Sequence, residues 1–333
     1  MLHLFCREKN ESFIAAKATA LFAETLCETA AFAGINPMKQ IIVFALVFLS
    51  IIHIGKGQAL NEAFLNSTVL ISYQVDPKST SSGSGFLVFR EIKDNQGQIF
   101  LVTNKHVIPP EGEKKSISIR VTTRQANAAK IATIEVPVVG DSKKYLDNVR
   151  LHPNKDYDIA VVNITGEVVK NGIDAAWIPT SLFVTKDKLK GEGITVGDEI
   201  FLLGYPDAIF DPRNVSPVLR EGVISTEPTQ GYAFNEKLKK AYGLPDQIDG
   251  FLIDANVFPG SSGSLVVLKQ QPTTIGPQGQ TVVSGAKKIP YVLGIVSASI
   301  PIVDVALQSV QRMGLGVVYS ADCIKETIEL FYK

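Results

Sequence analysis

Short β-rich runs separated by turn signals recur from about residue 68 to the end of the chain, and their spacing restricts the possible folds. Many short strands in succession are typical of a sandwich or barrel, and they argue against an alternating β and α architecture. The residues Asp94-Asn95-Gln96-Gly97 between two such runs predict a hairpin. The runs cover residues 68–74, 85–89, 99–102, 116–122, 132–138, 159–162, 199–203, 223–226, 251–253, 264–268, 291–297 and 316–319.

The chain divides into two similar halves followed by a helix. A seam falls near residues 176–193, where Trp177-Ile178-Pro179 and then a charged stretch precede a new strand. In the last segment, Ile324, Ile328 and Phe331 form an apolar stripe that predicts a helix over 321–331. We therefore expect an N-terminal β-domain over 60–180, a C-terminal β-domain over 181–320, and a terminal helical segment over 321–333.

An export signal is predicted near the N-terminus. A twelve-residue apolar run begins at Ile41 and ends at Ile52, and Gly57-Gln58-Ala59 supplies small residues where a signal peptidase reads. We expect a signal peptide over 38–59 that begins at Met38, an upstream extension over 1–37, and a secreted or periplasmic protein. The alternative is an uncleaved anchor, although a membrane-spanning helix needs about 20 apolar residues.

Composition excludes several classes of function. Lys plus Arg and Asp plus Glu both number 33, so the basic excess of a nucleic-acid binder is missing. Three cysteines, Cys6, Cys27 and Cys323, cannot form a disulfide framework or a multi-cysteine zinc site. No His-Glu-x-x-His, Walker A or dinucleotide-binding motif is present. We expect no cofactor and no metal.

The sharpest local motif is Gly260-Ser261-Ser262-Gly263-Ser264. A nucleophilic serine needs an exposed hydroxyl and backbone N–H groups aimed at the oxyanion, and flanking glycines permit the tight turn that presents them. The alternative interpretation is a Ser/Gly-rich hairpin turn.

Two further residues are candidates for acid–base chemistry. His106 ends an apolar strand and enters a loop, where a general base would be anchored yet open to a cleft. Asp158 directly precedes the apolar run 159–162, so its carboxylate needs a partner, which a neutral imidazole could supply. The alternatives are an exposed or structural histidine, a strand-capping aspartate, and Asp156 in place of Asp158.

Together with Gly83-Ser84-Gly85-Phe86-Leu87-Val88, the order His, Asp, Ser resembles that of the chymotrypsin-fold (trypsin-like) serine endopeptidases. The chain is most similar to their cysteine-poor bacterial branch, which includes the Deg/HtrA catalytic domains, but without the PDZ modules. The resemblance spans about residues 67–332. It implies an all-β fold of two six-stranded antiparallel β-barrels, the chymotrypsin-like double barrel, with a C-terminal α-helix.

The resemblance also implies roles for individual residues. Ser262 would be the nucleophile, His106 the general base, and Asp158 the group that orients the histidine. The oxyanion hole would be formed by the backbone N–H groups of Gly260 and Ser262, with that of Ser261 nearby.

Substrate-binding positions follow from the same resemblance. Ser297, Ala298 and Ser299 would pair with the substrate backbone and line one wall of the specificity pocket, and Asn256 would lie at its base. Because Asn256 replaces the aspartate that selects Arg or Lys, uncharged side chains are expected next to the scissile bond. Ser261 replaces the aspartate that binds a newly freed N-terminus, which argues against zymogen-type activation.

These features predict a serine endopeptidase that hydrolyses protein or peptide substrates through an acyl-enzyme intermediate. Two alternatives remain. One is a catalytically silent binding or scaffold protein of the same fold, and the other is an esterase-like or very narrow processing enzyme.

Overall fold

The computed structural model describes residues 60–333 apart from 61, 94–95, 126–127, 212, 271–272, 276–280, 284–289 and 305–308. The predicted upstream extension and signal peptide, including the run from Ile41 to Ile52, lie outside the described residues. Within the described ranges, no helix is long and apolar enough to cross a membrane.

The first half of the chain forms one eight-stranded sheet, ordered β5-β4-β1-β2-β3-β7-β6, with β8 parallel to β2. Alternating side chains fill its core, as in β4, where Ile117, Ile119 and Val121 are buried. The strands are β1 (Thr68–Asp76), β2 (Ser79–Lys93), β3 (Gln96–Thr103), β4 (Lys115–Gln125), β5 (Ala128–Val139), β6 (Val149–Leu151), β7 (Ala160–Asn163) and β8 (Ile178–Pro179).

The predicted hairpin is confirmed, since β2 and β3 pair antiparallel with Phe89 opposite Ile99. In this half the structure differs from the predicted six-stranded barrel in strand number and in closure, since it is an open half-barrel of eight strands. The two strands without a sequence signal, β6 and β8, have only three and two residues. A strand of two or three residues is too short to show alternation in the sequence. Each of these strands is defined by its pairing with a neighbour, β6 with β7 and β8 with β2.

The second half forms a closed six-stranded barrel, ordered β10-β13-β18-β17-β14-β9. This confirms the expected barrel, whose closure leaves no unpaired strand edge. Small two-stranded sheets, β11–β12 and β15–β16, lie outside it. The strands are β9 (Glu199–Gly204), β10 (Val218–Ile224), β11 (Tyr232–Ala233), β12 (Gln247–Ile248), β13 (Gly250–Asp254), β14 (Leu265–Leu268), β15 (Thr273–Ile275), β16 (Thr281–Val283), β17 (Val292–Asp304) and β18 (Ser309–Ser320).

Five α-helices are described, of which the last packs most deeply. They are α1 (Glu62–Ser67), α2 (Thr165–Lys170), α3 (Lys186–Gly191), α4 (Glu236–Tyr242) and α5 (Ala321–Glu329). Helix α5 buries Ile324 and Ile328, as its apolar stripe predicts, and it ends two residues before the predicted boundary. Burying side chains of this size contributes about 1.5–3 kcal/mol each. The helix is also tied to β2, because Arg90 makes a two-pronged hydrogen bond to Glu329.

One apolar cluster joins the two halves and fixes the segments that carry the candidate site. It contains Phe100 and Val161 from the first sheet and Leu203, Leu265 and Ile295 from the barrel, all buried. Because close-packed side chains resist relative movement, the loops at the ends of β3 and β14 are held in a fixed relation to each other.

Candidate active site

His106 and Asp158 are in direct contact. His106 lies in a 3-10 turn, Lys105–Val107, just after β3, and its Nδ1 is 2.6 Å from Oδ2 of Asp158. The backbone N–H of His106 donates to the other carboxylate oxygen, Oδ1, over 3.2 Å. An ionised carboxylate only accepts hydrogen bonds, so Nδ1 carries the proton and Nε2 keeps its lone pair. The imidazole is half exposed, with its acceptor nitrogen free to take a proton.

Asp158, and not Asp156, is the partner of His106. Asn104, which is fully buried, donates from Nδ2 to the backbone carbonyl of Asp158 over 2.6 Å. Asp156 is exposed, and within the described part of the chain its carboxylate makes no contact with His106. The geometry therefore decides which of the two aspartates contacts His106, a choice that the sequence left open.

Ser262 lies between two glycines with positive φ, Gly260 at 79° and Gly263 at 84°. Its hydroxyl donates to the backbone carbonyl of Ser297 over 3.1 Å. It forms no hydrogen bond with His106 in the described residues, although such contacts are often long in enzymes without substrate. Ser297 connects the two parts, because its own hydroxyl donates to Oδ2 of Asp158 over 2.8 Å.

The backbone of residues 260–264, the serine loop, presents two unused N–H groups. Those of Gly260 and Ser262 meet no acceptor among the residues that the structure describes. The N–H of Ser261, which we expected nearby, donates to the carbonyl of Phe258 over 3.1 Å and closes a turn. Two free N–H groups that flank a serine can stabilise an oxyanion.

The predicted substrate-binding residues lie on two segments. Asn256 is exposed with φ of 48°, and its backbone carbonyl accepts from Nη1 of Arg220 over 2.5 Å. Ser297, Ala298 and Ser299 lie on β17, whose register against β18 shifts between Val296 and Ala298. A bulge of this kind redirects side chains, which explains why the hydroxyl of Ser297 reaches Asp158.

Burial shifts the pKa of two ionisable groups beside these segments, Arg220 and Tyr319. The Arg220 guanidinium stacks over the ring of Phe258 at 4.7 Å, and desolvation lowers its pKa. Tyr319 donates to the backbone carbonyl of Asp156 over 3.1 Å, and burial raises its pKa. Tyr319 therefore stays neutral and acts through its hydrogen bond, while Arg220 packs on Phe258 and donates to the carbonyl of Asn256.

The chain matches the sequence model of the family described as "Trypsin-like peptidase domain" over residues 83–276. The matched region is more than half of the chain and contains His106, Asp158 and Ser262. This chain belongs to the trypsin-like peptidase domain family. Membership supports protease function, and the double-barrel fold is the one expected of the family. A comparison with curated proteins found no match.

Solved protease structures are similar to this chain at low identity. The inactive form of the Rv3671c protease of M. tuberculosis has 17% identity and a TM-score of 0.43, with 81% of this chain and 91% of that chain covered. The protease Anisep from Arthrobacter nicotinovorans has 13% identity and a TM-score of 0.42, with 81% and 97% covered.

Three residues at the candidate site were missed by sequence reasoning. Asn104 supports Asp158 as described above, Ser84 contacts the serine loop from β2, and Tyr205 contacts Ser84. The sequence signal for Ser84 was its place between two glycines, Gly83 and Gly85. In the structure, a Cβ added to Gly83 would lie 2.7 Å from Val107, and one added to Gly85 would lie 2.7 Å from Ile71. A side chain flanked by two such tight approaches is itself held close to its neighbours.

Within the described ranges, no group of three or more His, Cys, Asp or Glu side chains could hold a metal ion.

Proposed function

We propose that the protein is a serine endopeptidase with Ser262 as nucleophile, His106 as general base and Asp158 as the orienting carboxylate. One observation carries the proposal: the Asp158 carboxylate holds Nδ1 of His106 at 2.6 Å, and Ser297 joins the same carboxylate to Ser262. A protonated Nδ1 leaves Nε2 as the base, which is the tautomer that serine activation requires.

In the proposed reaction, the Ser262 hydroxyl turns from the Ser297 carbonyl toward Nε2 of His106. Its oxygen attacks the scissile carbonyl carbon while its proton moves to Nε2. The Asp158 carboxylate stabilises the imidazolium without taking the proton. The free N–H groups of Gly260 and Ser262 bind the oxyanion. His106 then returns the proton to the leaving amine, and water hydrolyses the acyl-enzyme.

The substrate proposed is a polypeptide with an uncharged side chain at the scissile bond. Asn256 supplies no charge at the base of the proposed pocket, and residues 297–299 lie on β17, the strand alongside which we propose that an extended peptide binds. In this mode of recognition, main-chain hydrogen bonds between the peptide and the strand supply the affinity, and the pocket selects the side chain.

Hydrolysis of unfolded casein tests the proposal, with Ser262→Ala and His106→Ala as variants. We expect each variant to lose at least about 1,000-fold in kcat. Ser264→Ala is the matched control from the same loop, since its hydroxyl is buried and lacks a hydrogen-bond partner in the described structure. Equal activity of Ser262→Ala and Ser264→Ala would contradict the proposal. Hydrolysis of small esters without casein would favour an esterase-like or narrow processing enzyme.

A second candidate is a silent binding or scaffold protein, and one observation favours it. The Ser262 hydroxyl donates to the Ser297 carbonyl and not to His106. In a silent protein this hydrogen bond persists when a peptide binds. Peptide binding without Ser262-dependent turnover would support this candidate.

We also propose export by a signal peptide over 38–59 with cleavage after Ala59. The apolar run from Ile41 to Ile52 and the small residues Gly57 and Ala59 support it. N-terminal sequencing of the mature protein is the test. A mature chain that begins at residue 60 is expected, whereas one that keeps the apolar run would indicate an anchor.

A further inference from the structure

Ser84 is a fully buried residue of the first sheet whose backbone contacts the serine loop of the second half. Its N–H donates to the carbonyl of Ser262 over 2.9 Å, and its own carbonyl accepts from Oγ1 of Thr103 over 2.7 Å. These bonds use both backbone groups of Ser84, so any action of its hydroxyl on the loop is separate from them.

The hydroxyl of Ser84 bridges two loops in one fixed direction. The backbone N–H of Tyr205 donates to Oγ of Ser84 over 2.8 Å, and Oγ lies 3.0 Å from the carbonyl oxygen of Gly260. An amide can only donate and a carbonyl can only accept, so the single hydroxyl proton must point to Gly260. The Gly260–Ser261 peptide is thereby oriented from outside the loop.

The preceding peptide, between Pro259 and Gly260, is held by the 3-10 turn Pro206–Ala208, which directly follows Tyr205. The N–H of Asp207 donates to the carbonyl of Pro259 over 2.8 Å. In a trans peptide the C=O and N–H point in opposite directions, so this bond turns the N–H of Gly260 away from Asp207. The approach is close, since a Cβ on Gly260 would lie 2.5 Å from the Asp207 nitrogen.

The turn that holds both peptides is itself strained. Asp207 and Ala208 have φ of 48° and 54°, which non-glycine residues rarely adopt. Buried Tyr205 anchors it, with its hydroxyl donating to the carbonyl of Val215 over 2.7 Å. The two carbonyls on either side of the Gly260 α-carbon are thus fixed from one turn, directly at Pro259 and through Ser84 at Gly260.

We propose that the Ser84 hydroxyl is a positioning group that keeps the Gly260 N–H aimed at the oxyanion; this rests on the proposed serine endopeptidase function. Without the hydroxyl, the Gly260 carbonyl loses its donor, and the Gly260–Ser261 peptide is held only by the bond from the Ser261 N–H to the carbonyl of Phe258. The α-carbon of Gly260 is then fixed from one side only, through the Pro259 carbonyl, and the direction of its N–H is less restricted. Transition-state binding then weakens, whereas ground-state binding of the peptide does not change.

The test compares kcat, KM and inhibition by a peptide aldehyde for the wild type and Ser84→Ala. We expect kcat to fall about 10- to 100-fold, below the full loss of one oxyanion donor. KM should remain within about threefold, and aldehyde affinity should fall by a factor similar to kcat, because the hemiacetal oxygen occupies the same hole. A merely structural role would not separate kcat from KM in this way.

Ser67→Ala is the matched control. Ser67 is equally buried, and its hydroxyl donates to the carbonyl of Phe64 in helix α1. It should keep the wild-type kcat. If Ser84→Ala does not fold, Ser84→Cys takes its place, since the thiol is similar in size but a weaker donor, and a smaller drop in kcat at unchanged KM is expected.

Wild-type kcat and aldehyde affinity in the folded variant would overturn the role of Ser84 and leave the proposed function intact. The opposite failure is distinguishable: a folded wild type with no Ser262-dependent hydrolysis overturns the proposed function and this role with it.

Discussion

Oγ of Ser297 lies 2.8 Å from Oδ2 of Asp158, and this hydrogen bond joins the barrel of the second half to a carboxylate of the first. The carbonyl of Ser297 accepts from the Ser262 hydroxyl over 3.1 Å. One residue at a β-bulge therefore contacts two members of the proposed catalytic group. Both hydrogen bonds require that the two halves keep their relative position.

Removing the Ser297 hydroxyl should lower activity less than removing the charge of Asp158. The carboxylate accepts three hydrogen bonds, two from His106 and one from Ser297. We expect Asp158→Asn to reduce kcat by about 10,000-fold, because an amide no longer fixes the required tautomer. Ser297→Ala removes one donor and should cost about tenfold or less, at roughly 1 kcal/mol per hydrogen bond. Steady-state kinetics on a peptide substrate would show this, and equal losses would refute it.

Gly260→Ala should reduce kcat strongly. Gly260 has φ of 79°, and an added Cβ would meet backbone atoms of Asp207 at 2.5 Å, so the loop must shift. A misplaced oxyanion donor costs about 100- to 1,000-fold in kcat. Gly243→Ala is the control, because Gly243 has φ of 62° but no atom within 4 Å of an added Cβ. It should cost about 1–2 kcal/mol of stability from backbone strain and no activity. Unchanged kcat in Gly260→Ala would count against the proposed oxyanion hole.

The ion pair that ties helix α5 to β2 should contribute to stability. Arg90 makes hydrogen bonds of 2.8 and 2.7 Å to Glu329 and stacks over the Tyr332 ring at 4.0 Å. Arg90→Lys keeps the charge but loses the planar fork, so we expect a loss of about 1 kcal/mol and a Tm lower by about 2–4 °C.

Lys114→Ala serves as the control for Arg90, because its ion pair with Asp141 is largely exposed. Pairs of that kind contribute little. Calorimetry on both variants is the measurement, and equal Tm values would show that the two-pronged contact adds no stability.

Cys323 should resist alkylation in the folded protein. It is buried, and burial raises the pKa of its thiol to about 12. Since the thiolate is the reactive form, iodoacetamide at mildly alkaline pH should leave it unmodified until guanidinium chloride unfolds the chain.

The same shift in the Cys323 pKa has a consequence for stability. The folded thiol binds its proton more tightly than the unfolded one, so its contribution is complete below the ordinary value of 9.0 and is lost as pH rises toward about 12. Peptide mass spectrometry identifies alkylation at residue 323, and rapid modification of the folded protein would contradict the burial.

Local sequence patterns predicted most of the fold, and the structure shows which elements they could not predict. Alternating runs located the main strands, and the apolar stripe of Ile324 and Ile328 located helix α5. Strand β8 was missed because two residues carry no alternation, and it forms only against a long neighbour. What a short segment pairs with is decided by the tertiary structure.

The same limit holds for the candidate site. Residue type and context singled out His106 and Asp158, and the structure brings them together. The bridges through Ser84 and Ser297 were not predicted, because each joins residues more than 100 positions apart. A serine that will donate across two halves of a fold has no local signature. The use of the Ser261 N–H within a turn was missed for a related reason, since it depends on the path of the loop around Phe258.

The most direct measurement is covalent labelling by a fluorophosphonate probe, located by intact mass and peptide mapping, on the wild type, Ser262→Ala and Ser264→Ala. Such a probe reacts only with a serine whose base and oxyanion donors act together. We predict one label at Ser262 in the wild type and in Ser264→Ala, and none in Ser262→Ala. No label on the folded wild type, or a label that persists in Ser262→Ala, would contradict the assignment of Ser262 as an activated nucleophile.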